Sequence, residues 1–227
     1  MRSFSSRKEF RDWNEAMFKK FGNAKAYRNP NPFIAWIENE RARQIVAEVA
    51  SEKRVLDIGC GEGLITERIG VDRAVGLDLS KEALKEARRR LPRAKLVLGD
   101  AQNLPFKDNS FDAAVCSEVI EHNPEPGKIL KEAARVTKPN GKIVVTIPDE
   151  RNIEMVKAAA KSIGLFNFLL PTVPEKMEWH LYSFSLEMLR RITPKDLRIE
   201  RVVSIPFFYP IRRVLVFRVS SAKPLAR

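Results

Sequence analysis

Nine consecutive residues constrain this chain more than any other stretch: Val55-Leu56-Asp57-Ile58-Gly59-Cys60-Gly61-Glu62-Gly63. Val55 to Ile58 reads as a short buried strand with one carboxylate, Asp57, set into it. Glycines at alternate positions follow, and Leu64-Ile65-Thr66-Glu67-Arg68-Ile69 then takes up helical spacing. Glycines let the main chain turn tightly and let a ligand come close to it. The free N–H groups of a helix start favour negative groups. A strand, a turn built from Gly59, Cys60, Gly61 and Gly63, and a helix start thus predict a pocket floor for a small charged ligand.

The length of 227 residues fits one sizeable domain, or one domain with a small cap, and 44% hydrophobic residues supply an ordinary core. No apolar run approaches the roughly 18 to 20 residues of a membrane span. The first residues, Met1 to Lys8, are basic, but Glu9, Asp12 and Glu15 follow with no apolar signal segment. A cap helix in a cytoplasmic protein is the expectation. The two cysteines, Cys60 and Cys116, have no metal-ligand spacing, which suits a reducing compartment. With only two histidines in the chain, no zinc or iron site is expected.

The net charge of +12 is unevenly spread. Residues 1–50 hold 10 Lys/Arg against 6 Asp/Glu, residues 51–150 hold 17 against 17, and residues 151–227 hold 14 against 6. The excess lies in the flanks of a neutral centre. It serves solubility, or it meets an anionic substrate, a membrane surface or nucleic acid.

Along the chain, Phe10, Trp13, Met17, Phe18 and Phe21 recur at helical spacing. A second helix with Phe33, Trp36, Ile37, Ala42, Ile45, Val46 and Val49 follows the Asn29-Pro30-Asn31-Pro32 turn. These residues, 1–50, are read as an N-terminal helical cap; core packing explains the aromatics, and a lid with Tyr27 and Arg28 is the functional alternative. From 54 to 147, strand and helix signals alternate. Ala74-Val75-Gly76-Leu77 ends in Asp78-Leu79, and Ser80 caps a helix that runs to Arg88-Arg89-Arg90. A carboxylate placed like Asp78, some twenty residues after the glycine turn, can accept both hydroxyls of an adenosine ribose. Lys95 to Leu98 and Ser110 to Cys116 read as the third and fourth strands, residues 126–136 as a helix, and Lys142 to Ile147 as the fifth strand after a Lys138-Pro139-Asn140-Gly141 turn. Beyond Asp149 come a helix over 151–163, a segment Glu178 to Ser185 leading into a helix ending at Ile192, and two β-rich stretches, Leu197 to Pro206 and Val214 to Ser220.

The glycine spacing separates two ligand classes. Dinucleotide enzymes want glycine or alanine where Leu64 stands. The pattern Asp57-x-Gly59-x-Gly61-x-Gly63, then Asp78, Gly99-Asp100-Ala101 running into Leu104-Pro105-Phe106, Ser117-Glu118-Val119-Ile120-Glu121-His122, and the turn-plus-strand from Lys138, resembles the class I S-adenosylmethionine-dependent methyltransferases. It resembles above all the family often called type 11, over residues 54–148. The resemblance implies a Rossmann-like, doubly wound α/β fold: seven strands, mostly parallel, closed by an antiparallel hairpin, over residues 51–227 with a substrate-side insertion at about 150–192. It implies S-adenosyl-L-methionine as cofactor and S-adenosyl-L-homocysteine as product. Asp57, Gly59, Cys60, Gly61, Gly63, Asp78 and Leu79 would hold the cofactor's methionine and ribose. Asp100 and Ala101 would hold adenine, and Ser117 and Glu118 would wall cofactor from acceptor.

Methyl transfer from a sulfonium is an in-line displacement in which the protein mainly positions the acceptor and excludes water. A base is needed only for a protonated acceptor; His122, then His180, are the candidates. No Asp/Asn-Pro-Pro-Tyr/Phe follows the fourth strand, and Val115 stands where a cytosine-C5 enzyme carries proline before its nucleophile, so Cys116 reads as strand packing. Nor is there an acid cluster for a catechol-type metal site. A small-molecule acceptor, with an anionic one suited to the flanks, is the first reading. An RNA or protein methyltransferase using the basic flanks, or a catalytically silent adenosylmethionine-binding subunit, are the alternatives.

Overall fold

The computed structural model describes residues 3–21, 31–164 and 179–221. Helix α1 (Arg7–Phe21) opens with reciprocal capping: Glu9 N–H donates to Ser6 Oγ, and the Glu9 carboxylate accepts from Ser5 N–H and Oγ–H. Helix α2 (Pro32–Glu48) starts at Asn31, whose side chain accepts from the N–H of Phe33 and Ile34, with Pro32 in the first helical position. There follow β1 (Val55–Ile58), α3 (Leu64–Ile69), β2 (Ala74–Asp78), α4 (Lys81–Arg90), β3 (Lys95–Leu98) and β4 (Phe111–Ser117). After a single 3-10 turn at Ile120–His122 come α5 (Pro126–Val136), β5 (Thr137–Pro148), α6 (Glu150–Ser162), α7 (Leu186–Ile192), β6 (Leu197–Ile205) and β7 (Arg212–Val219).

The seven strands form one sheet in the order β3-β2-β1-β4-β5-β7-β6. Strands β1 to β5 pair in parallel, and β7 runs antiparallel to both β5 and β6. This is the doubly wound sheet with a closing hairpin that the resemblance implied. β1 pairs with β2 on one side and β4 on the other, so the strand order reverses there and opens a crevice at the carboxyl ends.

The strand period of two divides the core. Leu56, Ile58, Ala114 and Cys116 face a cluster built with Ile129, Leu130 and Ala133 of α5 and Leu189 of α7. Val55, Ala113 and Val115 face the other, with Ile37 and Ile45 of α2 and Ile65 and Ile69 of α3. Helix α2, expected with α1 as a cap, thus packs on the sheet itself. The Lys138-Pro139-Asn140-Gly141 turn loops out of β5: Phe111 pairs with Thr137 and Ala113 already with Lys142. Between β6 and β7, Phe207 and Phe208 stand exposed at 84% and 71%. Among the described residues no helix is long and apolar enough to cross a membrane. Tyr27 and Arg28, and residues 165–178, lie outside the described residues.

Candidate functional site

The turn after β1 is fastened to the end of β2, because Gly59 and Cys60 both donate their N–H to Leu77 O, at 2.7 and 3.0 Å. Gly59 (φ +70°) and Gly63 (φ +79°) hold a backbone conformation that other residues rarely adopt. A Cβ on Gly59 would stand 2.4 Å from Val119 Cγ2. Gly59 therefore lets the turn pack its backbone directly against Val119, on the segment after β4.

Asp78 organises this corner. One carboxylate oxygen accepts from Gly61 N–H and the other from Ser80 N–H, each at 2.8 Å. Burial pushes its pKa up, against the pull of the Ser80 and Gly61 N–H groups. Each oxygen keeps lone-pair capacity for a further donor. Asp78, Leu79, Gly59, Gly61, Asp100 and Ala101 all line one cleft of about 570 Å³, open mouth included. Its far wall is Glu118, Val119, His122 and Asn123, with Trp179 beside them.

Helix α1 contributes Phe10, Asn14 and Phe18 to the same cleft. It is pinned by Glu15, whose carboxylate accepts from the N–H of Lys81 and Glu82, both at 3.1 Å, at the start of α4. Arg7 pairs with Asp100 at 3.2 Å. The cap therefore lies over the Asp78 and Asp100 side of the cleft. No aromatic-periodicity argument could place it there, because period fixes which face of a helix is buried and not what lies beneath it.

Other sequence-derived candidates stand behind the wall. Asp57 shares the face of Val55, so its carboxylate points under α3 and accepts from Thr66 Oγ1–H at 2.6 Å. Its burial raises its pKa to about 7. Cys60 and Cys116 are buried thiols, both pushed up by burial. Gly63 begins α3 and packs toward Leu91.

Ser117, at the end of β4, is held by Arg41. Glu118 follows with φ +56°, a conformation that costs a non-glycine residue about 1–3 kcal/mol and clusters at functional sites. Its N–H donates to Thr146 Oγ1 at 3.1 Å, and its carboxylate lies 3.3 Å from Arg212.

Sequence reading missed the buried ion network behind this wall. Glu38 is bound by Arg41 at 2.7 Å and Arg212 at 2.9 Å. Burial alone would raise the Glu38 pKa, but Arg212 and then Arg41 outweigh it and hold it at about 2. A signal was available: Glu38 and Arg41 interrupt the apolar face of α2 between Ile37 and Ala42.

His122 and His180 meet across the far wall with ring centroids 4.8 Å apart. His122 Nδ1 faces Trp179 O at 3.1 Å, and its ring stacks on Trp179. Burial, then His180 beside it, pushes the His122 pKa down to about 3. His180 Nδ1 bonds the Glu150 carboxylate. His180 is not among the cleft's lining residues and reaches it through His122.

A reversing parallel sheet with a glycine turn after β1 and acids after β2 and β3 defines a Rossmann-like nucleoside-binding domain. The family of methyltransferase domains called type 11 matches residues 56–145. Demethylmenaquinone methyltransferase of Paenarthrobacter aurescens is 40% identical over 128 residues, 54% of this chain and 50% of that protein. The chain thus spans about half the length of the curated relatives it matches. Among solved structures, the N-methyltransferase NodS of Bradyrhizobium japonicum, in complex with S-adenosyl-L-homocysteine, aligns with a TM-score of 0.63 at 19% identity, over 90% of this chain and 96% of that one. A chain from the complex of the Haloferax volcanii Trm112 methyltransferase activator with a methyltransferase gives 0.64 at 20%, over 95% and 100%. Those identities speak for the fold alone. Residues 56–145, which begin in β1, thus match a methyltransferase domain of the type 11 family.

Proposed function

We propose that the protein transfers a methyl group from S-adenosyl-L-methionine to a small-molecule acceptor. The observation that carries this reading is the convergence of Gly59, Gly61, Asp78, Asp100 and Glu118 on one cleft at the strand ends. The cleft residues fit the cofactor: bare glycine backbone at Gly59 and Gly61 along the wall, and a buried carboxylate with spare acceptor capacity. When bound, the cofactor supplies an electrophilic methyl on a sulfonium that leaves as a thioether. Asp78 would accept the ribose hydroxyls, and Asp100 and Ala101 would face adenine. Asp57 would act from behind the turn, holding Thr66 and the start of α3 rather than touching ligand.

Glu118 and Val119 would divide cofactor from acceptor, with His122 on the acceptor side. An imidazole held at about 3 is a weak proton acceptor, so His122 orients the acceptor rather than deprotonating it. A small acceptor suits a cleft covered by α1. It also suits the flank cations, because Arg212, Arg213 and Arg218 are engaged with Glu38, Asp149 and Glu200. The relative named for demethylmenaquinone supports an acceptor of that size class.

Calorimetric titration with S-adenosyl-L-methionine, S-adenosyl-L-homocysteine and NADH tests the reading. Both sulfur ligands should bind in the micromolar range, NADH should not, and Asp78→Ala should weaken the sulfur ligands at least tenfold. No binding by either sulfur ligand, or undiminished binding by Asp78→Ala, refutes it.

A further inference from the structure

The chain contains two histidines, far apart in sequence, and the fold brings their rings together with centroids 4.8 Å apart. Beside them lies Glu121, fully buried, with neither carboxylate oxygen hydrogen-bonded to any group among the described residues. A carboxylate removed from water without a partner is costly. The Glu121 Oε1 atom points toward His122 Nε2 at 4.0 Å.

The imidazoles are already oriented. His122 Nδ1 faces the Trp179 carbonyl and His180 Nδ1 the Glu150 carboxylate, which leaves each Nε2 unengaged by these contacts. An acceptor on one ring nitrogen fixes the tautomer so that the other presents its lone pair, the arrangement found around metal-bound histidines. The two ligand-bearing segments are also fastened together. Leu181 and Tyr182 donate their N–H to Glu121 O, at 2.7 and 3.2 Å, and Tyr182 Oη–H donates to Pro124 O.

We propose that Glu121, His122 and His180 bind one divalent transition-metal ion of the zinc class. Their donor atoms all lie within 4.8 Å of one another. Some point then lies within about 2.8 Å of all three atoms by plane geometry, and bound zinc needs about 2.0–2.2 Å. The side chains must close in by less than about an ångström. Two imidazoles and one carboxylate leave a coordination position open, as in catalytic rather than structural zinc sites. His122 lines the cleft, so that position faces the proposed acceptor side and would take an oxygen or nitrogen of the acceptor. The low histidine count argued against a metal. Its weight falls once both histidines converge on one orphaned carboxylate.

Metal binding does not rest on the methyl-transfer reading; only the metal's role does. The test uses the full chain without a histidine tag, stripped with chelator and titrated with Co²⁺, whose visible ligand-field bands report imidazole and carboxylate coordination. One Co²⁺ per chain should bind, displaced by Zn²⁺. His180→Ala and Glu121→Gln should each weaken binding at least tenfold. Glu150→Gln, which leaves all three ligands in place, should weaken it about tenfold through His180 and covers the case of a ligand variant that does not fold.

S-adenosyl-L-homocysteine titrated into each sample reports an intact cleft. No saturable Co²⁺ binding by the wild type, or equal affinity in all three variants, overturns the proposal. Homocysteine-ligand binding without metal binding would leave the methyltransferase reading standing, and the reverse result would leave the metal site standing.

Discussion

Asp57 is the residue whose role changes most between sequence and structure. Its place two residues before Gly59 suggested a ligand contact, yet the strand period sends it under α3 to Thr66. Its folded pKa of about 7 lies above the unfolded value of about 3.9. Between those values the folded state holds a proton that the unfolded state has lost, so stability falls as pH rises from about 4 through about 7. Asp57→Asn keeps an acceptor for Thr66 and removes the titration. Urea unfolding at pH 5 and pH 8 should show a wild-type loss on the order of a few kcal/mol across this window that is smaller in Asp57→Asn; equal pH profiles would refute it. Asp78, by contrast, ends its strand and so escapes the alternation that hides Asp57. Local pattern read the identity of both acids but not their direction, because direction depends on which helix covers the strand.

Helix α1 shows the same division at the level of elements. Its aromatic spacing gave a helix with one buried face, and Phe10, Trp13 and Phe18 are indeed buried. What it covers is set by Glu15, which satisfies two of the N–H groups that the start of α4 leaves open, while Ser80 Oγ takes a third from Ala83. Glu15→Ala should therefore loosen α1 more than it destabilises the domain. S-adenosyl-L-homocysteine dissociation, followed by stopped-flow fluorescence, should quicken several-fold with little change in the thermal midpoint. An unchanged rate would show that α1 does not restrain the ligand. The strands from β1 to β5 and the closing hairpin were legible because each has its own apolar run and turn chemistry. The loop-out at Lys138–Gly141 was read as a plain turn, since register is decided by the neighbour β4 and not by β5 itself.

Across the whole molecule, the Glu38–Arg41–Arg212–Glu118 network links α2, the end of β4 and the last strand of the sheet. These residues are scattered from position 38 to position 212, so no window of sequence contains them. Removing one partner of a buried pair strands the other charge, at a cost of about 3–5 kcal/mol. Arg212→Met should lower unfolding stability by about that amount in urea titrations, and a loss within error of zero would mean that Arg41 alone carries Glu38. Of the basic flanks, Arg41 and Arg212 serve as internal counter-ions in this network, and Arg213 and Arg218 pair with Asp149 and Glu200. A different consequence follows from the thiols. Cys60 and Cys116 are the chain's two cysteines, and both are enclosed with their thiolate forms suppressed. The native chain is therefore already a quiet background for thiol-directed dyes. A cysteine introduced on the outer face of α1 and another on α4 would carry a donor–acceptor pair across the contact that Glu15 makes between the two helices, with no need to engineer the native thiols away.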